Sequence, residues 1–296
     1  MQREIIKRLE SINNIPTLPA VIENLGEALR DPEVDVDQVA GIIEDDPAIM
    51  ARIMKVVNSS MYSGVKETLS LRRAIVRLGF RAVTNIAMSA SIFSTFPPGP
   101  GQMFDRPGFW RHSICTGIAA EIVNRRIPGQ DPVKIDKDAL HLCGLLHDIG
   151  KIIFEQHFHD RFMEALGLSR NERTPLTEAE FRVMGADHAQ VGAWLARRWN
   201  LSEELTSVIR WHHSPENASE NTRNLVRVCA AADMAVNAGG LGDGGNCCCT
   251  ETEGLGKEFD FGHDGLLKII ALTESGAEES PLLEVFESRN RESELI

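Results

Sequence analysis

Apolar residues recur along most of this chain at intervals of three and four, and no stretch alternates convincingly between apolar and polar residues. In the segment 18–30, the residues Val21, Ile22, Leu25 and Leu29 share one side of a helix, and the segment ends at the turn-forming sequence DPEVD. Spacing by three and four is the period of an α-helix, whereas strands alternate every second residue. The chain is therefore predicted to be all-α.

Helix-start and helix-end residues support this prediction. Asp46 followed by Pro47 is a typical N-terminus, because a carboxylate caps the first free amides and proline needs no hydrogen-bond partner there. Ser70 and Gly79 likewise enclose a second helix, whose apolar residues are spaced along one face of 71–78. Both helices lie in the N-terminal third of the chain.

Turn-forming residues divide the chain into three parts. The clearest break is FPPGPGQMFDRPG, residues 96–108, which is rich in proline and glycine. The predicted parts are an N-terminal helical block at 1–96, a second helical block at 109–237 that is interrupted near 125–134 and 170–177, and a Gly-rich loop with an amphipathic helical tail at 238–296. We find no internal repeat.

Composition narrows the class of protein. The 296 residues are 43% hydrophobic, which is sufficient for a globular core, and the formal net charge is −12. An acidic chain does not favour a nucleic-acid partner, since phosphate backbones are bound by basic surfaces. No apolar run approaches the roughly 18 residues of a membrane span, and the N-terminus has no signal-peptide pattern. We expect a cytoplasmic protein without a membrane partner.

The six cysteines do not form a recognisable site. Cys115, Cys143 and Cys229 lie singly in helical segments, and Cys247–Cys249 form a run within the Gly-rich loop. None has the paired spacing of a zinc site, so we interpret the three single cysteines as small core residues and assign no function to the run.

Ionisable residues interrupt the apolar faces of several predicted helices. Helical spacing places His112 in line with Cys115 and Ala119, and His188 in line with Leu195. The complete set is His112, His147, Asp148, His188, His212, His213 and Asp233. A single buried histidine usually bonds a backbone carbonyl, but burying so many imidazoles and carboxylates without partners would be costly. Divalent metal satisfies both kinds of ligand, so these residues are predicted metal ligands.

The ligand types restrict the metal. Imidazole together with carboxylate suits iron, manganese or zinc, whereas magnesium and calcium prefer shells of oxygen alone. The sequence does not choose among the first three.

Two sets of motifs carry a resemblance to known families. His112, the pair His147 and Asp148 in HDIGK, and Asp233 follow the order of the HD superfamily of metal-dependent phosphohydrolases. The N-terminal strings IPTLPAVIENLGEAL, IIEDDPAIMARIMKVVNSSMYSG and LSLRRAIVRLGFRAV resemble the HDOD domain, a relative used in bacterial signalling. The resemblance covers about residues 8–215 closely and the region through Asp233 more loosely. It implies a multi-helix bundle with an N-terminal helical subdomain.

The second helical block also resembles the HD-GYP cyclic di-GMP phosphodiesterases. His188, His212 and His213 fall where those enzymes carry additional metal ligands, which implies two metal ions here. Two features depart from that family. Gly108 stands where a glutamate often precedes the first histidine, and the chain reads WHHSPENASENTRN where the GYP signature would follow. The resemblance therefore implies neither a third ion nor recognition of cyclic di-GMP.

If the site is catalytic, the ligand set predicts phosphoester hydrolysis, with Asp148 bridging two ions and Lys151 supplying positive charge to the transition state. The HDOD resemblance favours a signalling role instead. Lys151 has an equally simple alternative, an ion pair with Asp148. Two other functions stay open. The chain could be a non-catalytic signalling or scaffold module that acts through protein partners, or the metal could serve only to stabilise the fold. The expected small-molecule ligand is a phosphoester or a nucleotide.

Overall fold

The fold is all-helical, as predicted. The computed structural model describes residues 2–12, 15, 17–58, 70–96, 104–125, 137–246, 259, 262–280 and 282–283. The helices are α1 Gln2–Glu10, α2 Ala20–Ala28, α3 Val36–Glu44, α4 Pro47–Val57, α5 Leu71–Leu78, α6 Phe80–Thr95, α7 Arg106–Asn124, α8 Lys137–Leu146, α9 Ile149–His157, α10 His159–Glu172, α11 Leu176–Met184, α12 His188–Arg198, α13 Glu203–Trp211, α14 Glu220–Gly239 and α15 Gly262–Glu278, with a short 3-10 helix at Pro215–Asn217. The described residues contain no strand.

The chain divides into two compact units. One comprises Met1–Ile15 with Pro98–Gly276, and the other comprises Pro16–Pro97 with Ala277–Ile296. The first contains every residue of the predicted metal cluster. The predicted division at 96–108 lies close to one of these boundaries, while the N-terminal residues belong to the unit that holds the cluster.

Helix boundaries in the unit Pro16–Pro97 follow the predicted signals. The carboxylate of Asp46 accepts hydrogen bonds from the amides of Ala48 and Ile49, at 3.1 and 3.0 Å. Gly79 separates α5 from α6 with a φ of 87°, a left-handed conformation that costs glycine little. The predicted apolar positions Ile49 and Ile53 are buried, so the periodicity identified the core face correctly.

Close helix crossings define the unit that holds the cluster. A Cβ atom added at Gly144 on α8 would collide with the backbone nitrogen of Gly117 on α7, and one added at Gly150 on α9 would collide with the carbonyl oxygen of His188 on α12. The backbones therefore approach each other where no side chain intervenes. Because Gly144 and Gly150 lie on either side of the turn between α8 and α9, both crossings bring that turn close to α7 and α12.

Two helix ends differ from the sequence prediction. Helix α7 begins at Arg106, inside the predicted break, because Asp105 caps it and Pro107 is tolerated in its first turn. Helix α13 ends at Trp211, so His212 and His213 follow the helix instead of continuing its face. His212 is the C-cap residue, whose amide still donates to the carbonyl of Val208 at 3.0 Å, and it is buried.

Cys115, Cys143 and Cys229 are buried, as expected for core residues. The cysteine run at 247–249 lies outside the described residues. Within the described part of the chain, no helix combines the length and the apolar composition that crossing a membrane requires.

Candidate metal centre

The structure brings all seven predicted metal ligands together in one cluster. His112 lies in the middle of α7, and His147 and Asp148 form the turn between α8 and α9. The remaining ligands are His188 at the first position of α12, His212 and His213 after α13, and Asp233 on α14. Six of the seven are buried, and His213 is half-buried.

The ligands fall into two groups that share one carboxylate. The four-ligand group consists of Asp148, His188, His212 and His213, and the three-ligand group consists of His112, His147 and Asp148. Within each group the ligand atoms lie within 4.8 Å of one another. This spacing suits one metal ion in each group, with Asp148 common to both.

In the four-ligand group, the Oδ1 atom of Asp148 faces imidazole nitrogens. It lies 3.0 Å from Nε2 of His188 and 3.4 Å from Nε2 of His212. The Nε2 atom of His188 also lies 2.9 Å from Nε2 of His213. Three imidazoles and one carboxylate oxygen therefore converge on a single position.

In the three-ligand group, the other oxygen of Asp148, Oδ2, also faces imidazole nitrogens. Oδ2 lies 3.2 Å from Nε2 of His147 and 3.7 Å from Nε2 of His112. Asp233 lies beside this group, with Oδ1 at 3.0 Å from Nε2 of His112 and at 3.6 Å from Nε2 of His147. Asp233 is held in turn by Asn237, whose amide donates to the same oxygen at 2.7 Å.

Hydrogen bonds behind the rings leave the inner nitrogens free for metal. Nδ1 of His147 donates to the carbonyl of Gly144 at 2.7 Å, and Nδ1 of His212 donates to the carbonyl of Ile209 at 3.0 Å. Ligand histidines in metalloproteins are oriented in this way, with Nδ1 donating and Nε2 facing the ion.

Several buried polar atoms of the cluster have no hydrogen-bond partner among the described residues. They are Nε2 of His112, His147 and His212, Nδ1 of His112 and Oδ1 of Asp148. Some of them lie within ion-pair distance of a neighbour without the alignment of a hydrogen bond. Orphaned buried atoms are costly, and all but Nδ1 of His112 belong to the sets that would surround an ion. The residues present therefore fit divalent metal.

The charges of the metal-free cluster are strongly coupled. Burial opposes ionisation of Asp148, but the positive charges of His147 and Lys151 outweigh it and hold the pKa of Asp148 well below its usual range. Burial also opposes the charged form of His147, yet Asp148 and Asp233 raise the pKa of His147 to about 10. The pKa of Asp233 is likewise well below its usual range, because the histidine contacts outweigh burial.

The histidines of the four-ligand group have pKa values shifted in opposite directions. Burial opposes protonation of His188, but the carboxylates of Glu180 and Asp148 raise the pKa of His188 to about 9. The pKa of His212 is lowered by burial, and the pKa of His213 is lowered well below its usual range by burial and by the neighbouring histidines. Two neutral imidazoles beside an ionised carboxylate already match the protonation state that a metal requires.

Lys151 is fully buried and contacts the cluster directly. Its Nζ donates to Oδ2 of Asp148 at 2.5 Å and to the carbonyl oxygen of Gly244 at 2.7 Å. The ion pair with Asp148 is one of the two roles that the sequence left open for Lys151. It also means that a cation already contacts the oxygen that the three-ligand group would use.

A glycine-rich loop, residues 240–246, covers the three-ligand group. An added Cβ at Gly244 would lie 3.1 Å from Nε2 of His112, and the amide of Asp243 donates to the carbonyl of Gly108 at 3.0 Å. Gly108, the position of the missing glutamate, therefore packs against this loop. This contact could not be predicted from the sequence, because a backbone carbonyl leaves no signature there.

Glu180 on α11 is a second feature that the sequence did not reveal. Its Oε2 accepts hydrogen bonds from the backbone amide and from Nδ1 of His188, at 2.8 and 2.7 Å. Glu180 follows Glu178 in a charged stretch, where a glutamate is ordinarily a solvent-facing residue. The described His141, His157, His159 and His263 belong to neither ligand group.

A helical bundle that gathers H, HD and D residues around one shared aspartate has the architecture of an HD-type domain. The HDOD domain profile matches residues 15–215, which is more than half of the chain. The chain belongs to the HDOD domain family.

Known proteins agree with this assignment. A protein of Treponema pallidum (strain Nichols), itself uncharacterised, is 26% identical over 232 residues, which is 77% of this chain. The chain spans only 43% of that relative's length. The crystal structure of an HDOD domain protein of unknown function from Geobacter sulfurreducens is 25% identical and has a TM-score of 0.70, covering 98% of this chain and 94% of the other.

A structure from Shewanella amazonensis SB2B, provisionally named a phosphohydrolase, has the same fold. Its TM-score is 0.68 at 20% identity, and the match covers 94% of this chain and 97% of the other.

Proposed function

We propose that this chain is a bacterial signal-transduction protein whose cluster binds two divalent ions of iron, manganese or zinc and hydrolyses a phosphoester. The observation that carries the proposal is the position of Asp148. Its two oxygens face two different sets of imidazoles, Oδ1 towards His188 and Oδ2 towards His147. A carboxylate placed in this way is suited to bridge two ions.

The four-ligand group would hold one ion, and the three-ligand group with Asp233 would hold the other. When bound, such a pair of ions acidifies a water molecule and neutralises charge on the phosphoryl oxygens. Asp148 fixes the distance between the two groups. Lys151 places a positive charge beside the cluster, where it stabilises negative charge that develops on the phosphoryl group. The provisional name of the Shewanella protein supports this class of reaction.

The proposal is tested on protein reconstituted with Mn²⁺, Fe²⁺ or Zn²⁺ and assayed with phosphomonoesters, phosphodiesters and nucleotides. We expect turnover that requires metal and falls at least about 100-fold in His147→Ala, since removing a ligand removes an ion. His263→Ala, an exposed histidine outside the cluster, is the matched control. A fully loaded protein that cleaves none of these compounds would contradict the proposal.

A second function is favoured by the burial of the cluster. His112, His147 and Lys151 are almost completely inaccessible, and the loop 240–246 lies against them. A metal in such a place would stabilise a signalling or scaffold module that acts through protein partners and turns over no substrate. In that case removing the metal should lower the melting temperature sharply in a protein that never hydrolyses a phosphoester.

A further inference from the structure

Glu180 is a buried carboxylate placed directly behind a metal ligand. It is fully inaccessible to solvent, and among the described residues its ion-pair partner is His188. One carboxylate oxygen, Oε2, accepts both hydrogen bonds from His188, while Oε1 has no hydrogen-bond partner among the described residues. A buried carboxylate held by a single imidazole is incompletely compensated, which calls for a physical reason.

The two bonds fix the orientation of the His188 ring. The backbone bond anchors the residue, and the ring bond assigns Nδ1 as a donor and turns Nε2 towards Asp148 and His213. His147 and His212 are oriented by neutral backbone carbonyls, whereas His188 is oriented by a carboxylate. A carboxylate behind a ligand histidine also makes the imidazole a stronger donor to the metal.

A purely structural role explains these contacts less well. Glu180 contacts the first residue of α12, where a capping residue would be useful. That terminus already has a cap, because Asp187 and Gln190 form reciprocal bonds between side chain and backbone. The bond to the imidazole ring adds nothing to helix capping. Positive charge delivered through the ring, by contrast, would compensate the buried carboxylate.

We infer that Glu180 is a positioning residue that holds the His188 imidazole in ligand geometry and increases the affinity of the four-ligand group for its ion. The inference rests on the metal centre of the proposed function and does not require hydrolysis. Glu180 belongs to neither ligand group and is placed to act through His188.

The experiment compares Glu180→Gln with the wild type and with Glu178→Gln, a matched change on the exposed side of the same helix. The glutamine oxygen can still accept the bond from Nδ1 but carries no charge. Zn²⁺ affinity is measured by competition with a chelator, and the melting temperature is measured on metal-free protein. We expect the four-ligand group of Glu180→Gln to bind its ion roughly 10–100-fold more weakly than that of the wild type. Metal-free stability should fall by less than the free energy lost in Zn²⁺ binding, since Glu180 also pairs with the protonated His188 when no metal is bound. Glu178→Gln should behave as wild type.

Two results would overturn the inference. One is a Zn²⁺ affinity of Glu180→Gln equal to that of wild type. The other is a loss of affinity that is matched by an equal loss of metal-free stability, which would assign Glu180 to the fold alone. Nitrogen NMR of zinc-loaded wild type provides a measurement that needs no variant. It should show His188 bound through Nε2 with a proton on Nδ1, and the reverse arrangement would also refute the inference.

The outcomes separate this inference from the proposed function. Weakened Zn²⁺ binding in Glu180→Gln, together with a wild type that cleaves no phosphoester, would support the positioning role of Glu180 and contradict the proposed hydrolase activity. Unchanged Zn²⁺ binding in Glu180→Gln, together with hydrolysis that is lost in His147→Ala, would support the proposed hydrolase activity and contradict the positioning role of Glu180.

Discussion

The two ligand groups share Asp148 but differ in what surrounds it. On the side of the four-ligand group, Oδ1 of Asp148 has no hydrogen-bond partner in the described part of the chain, and Glu180 accepts a hydrogen bond from Nδ1 of His188. On the side of the three-ligand group, Oδ2 accepts a hydrogen bond from Lys151 at 2.5 Å, and the loop 240–246 packs against His112. In the four-ligand group an ion has to displace a proton from His188, whereas in the three-ligand group it also meets the ammonium group of Lys151.

This difference predicts ordered metal binding. The first ion should enter the four-ligand group, where it has to displace only the proton of His188 and where, among the described residues, no lysine or arginine contacts Oδ1. The second ion must compete with Lys151 for Oδ2 and reach a site beneath the loop. The chain would then have a tight site and a weaker, exchangeable site, and the two sites can be tested separately.

The largest effect is expected from Asp148→Asn, because both groups use this carboxylate. Metal content measured by mass spectrometry after reconstitution should fall from two ions per chain to none. The variant also leaves Lys151 buried without its counter-charge, which should cost about 3–5 kcal/mol of unfolding free energy in urea.

Asp160→Asn, at an exposed position of α10, provides the control and should keep both ions. An ion retained at full affinity in Asp148→Asn would show that one group does not depend on the shared carboxylate.

A second test uses the pH dependence of the metal-free protein. His147 and His188 have raised pKa values, about 10 and about 9, so their contributions are complete below about pH 6.5 and are lost as pH rises through 9 to 10. His212 and His213 have lowered pKa values, so their contributions are lost as pH falls below about 6.5, where the unfolded chain takes up the protons. Stability should therefore be maximal near pH 6.5.

Each proton changes the unfolding free energy by about 1.4 kcal/mol per pH unit, so the two slopes should be measurable in urea titrations. Saturating zinc should remove the alkaline loss, because ligand histidines must be neutral. His263→Gln should leave the profile unchanged. A metal-free protein equally stable at pH 6.5 and pH 9.5 would contradict the charge state assigned to His147 and His188.

The ligands and the residues around them differ in how far the sequence could predict them. The candidate metal ligands were identifiable because helical spacing places His112, His188 and Asp233 on apolar faces, and because HDIGK is a specific string. The all-helical fold was predictable for the same reason, since its periodicity and capping residues are local. Each of these signals depends on residues within a few positions of one another.

The surroundings of the ligands could not be predicted in this way. Lys151 and Gly244 are 93 positions apart, and their contact involves a backbone carbonyl that any residue could supply. Glu180 is eight residues from His188, separated by the end of one helix and the start of the next. Only the packing of the helices determines such contacts, so the sequence indicates the candidate ligands but not which of the two groups should bind an ion more tightly.

Lys151→Met sharpens the comparison at the weaker site. Removing the ammonium group frees Oδ2 of Asp148, so the second ion should bind about tenfold more tightly while the first changes less. Isothermal titration with Zn²⁺ resolves the two affinities. Lys268→Met, at an exposed position of α15, serves as the control. A second ion that binds more weakly in Lys151→Met would show that Lys151 supports the three-ligand group and does not compete with its ion.

The smallest expected effect concerns the loop 240–246 and is measured as the rate at which a chelator removes the second ion. Gly242 has a φ of 95°, and a Cβ there would lie 2.5 Å from the carbonyl oxygen of Gly108 and would collide with the amide of His112. Gly242→Ala should therefore displace the loop from the three-ligand group and accelerate removal of the second ion by a chelator.

Gly240→Ala separates the two causes of that effect. Gly240 also has a positive φ, 62°, but a Cβ there would meet nothing within 4 Å. Both variants carry the backbone penalty, of order 1–3 kcal/mol, and Gly242→Ala alone carries the collision. Removal of the second ion should be several-fold faster in Gly242→Ala than in Gly240→Ala, whereas removal of the first ion should be the same in both. Equal rates for the second ion would mean that the loop lies on the site without restricting access, and the difference between the groups would then depend on Lys151 and Glu180.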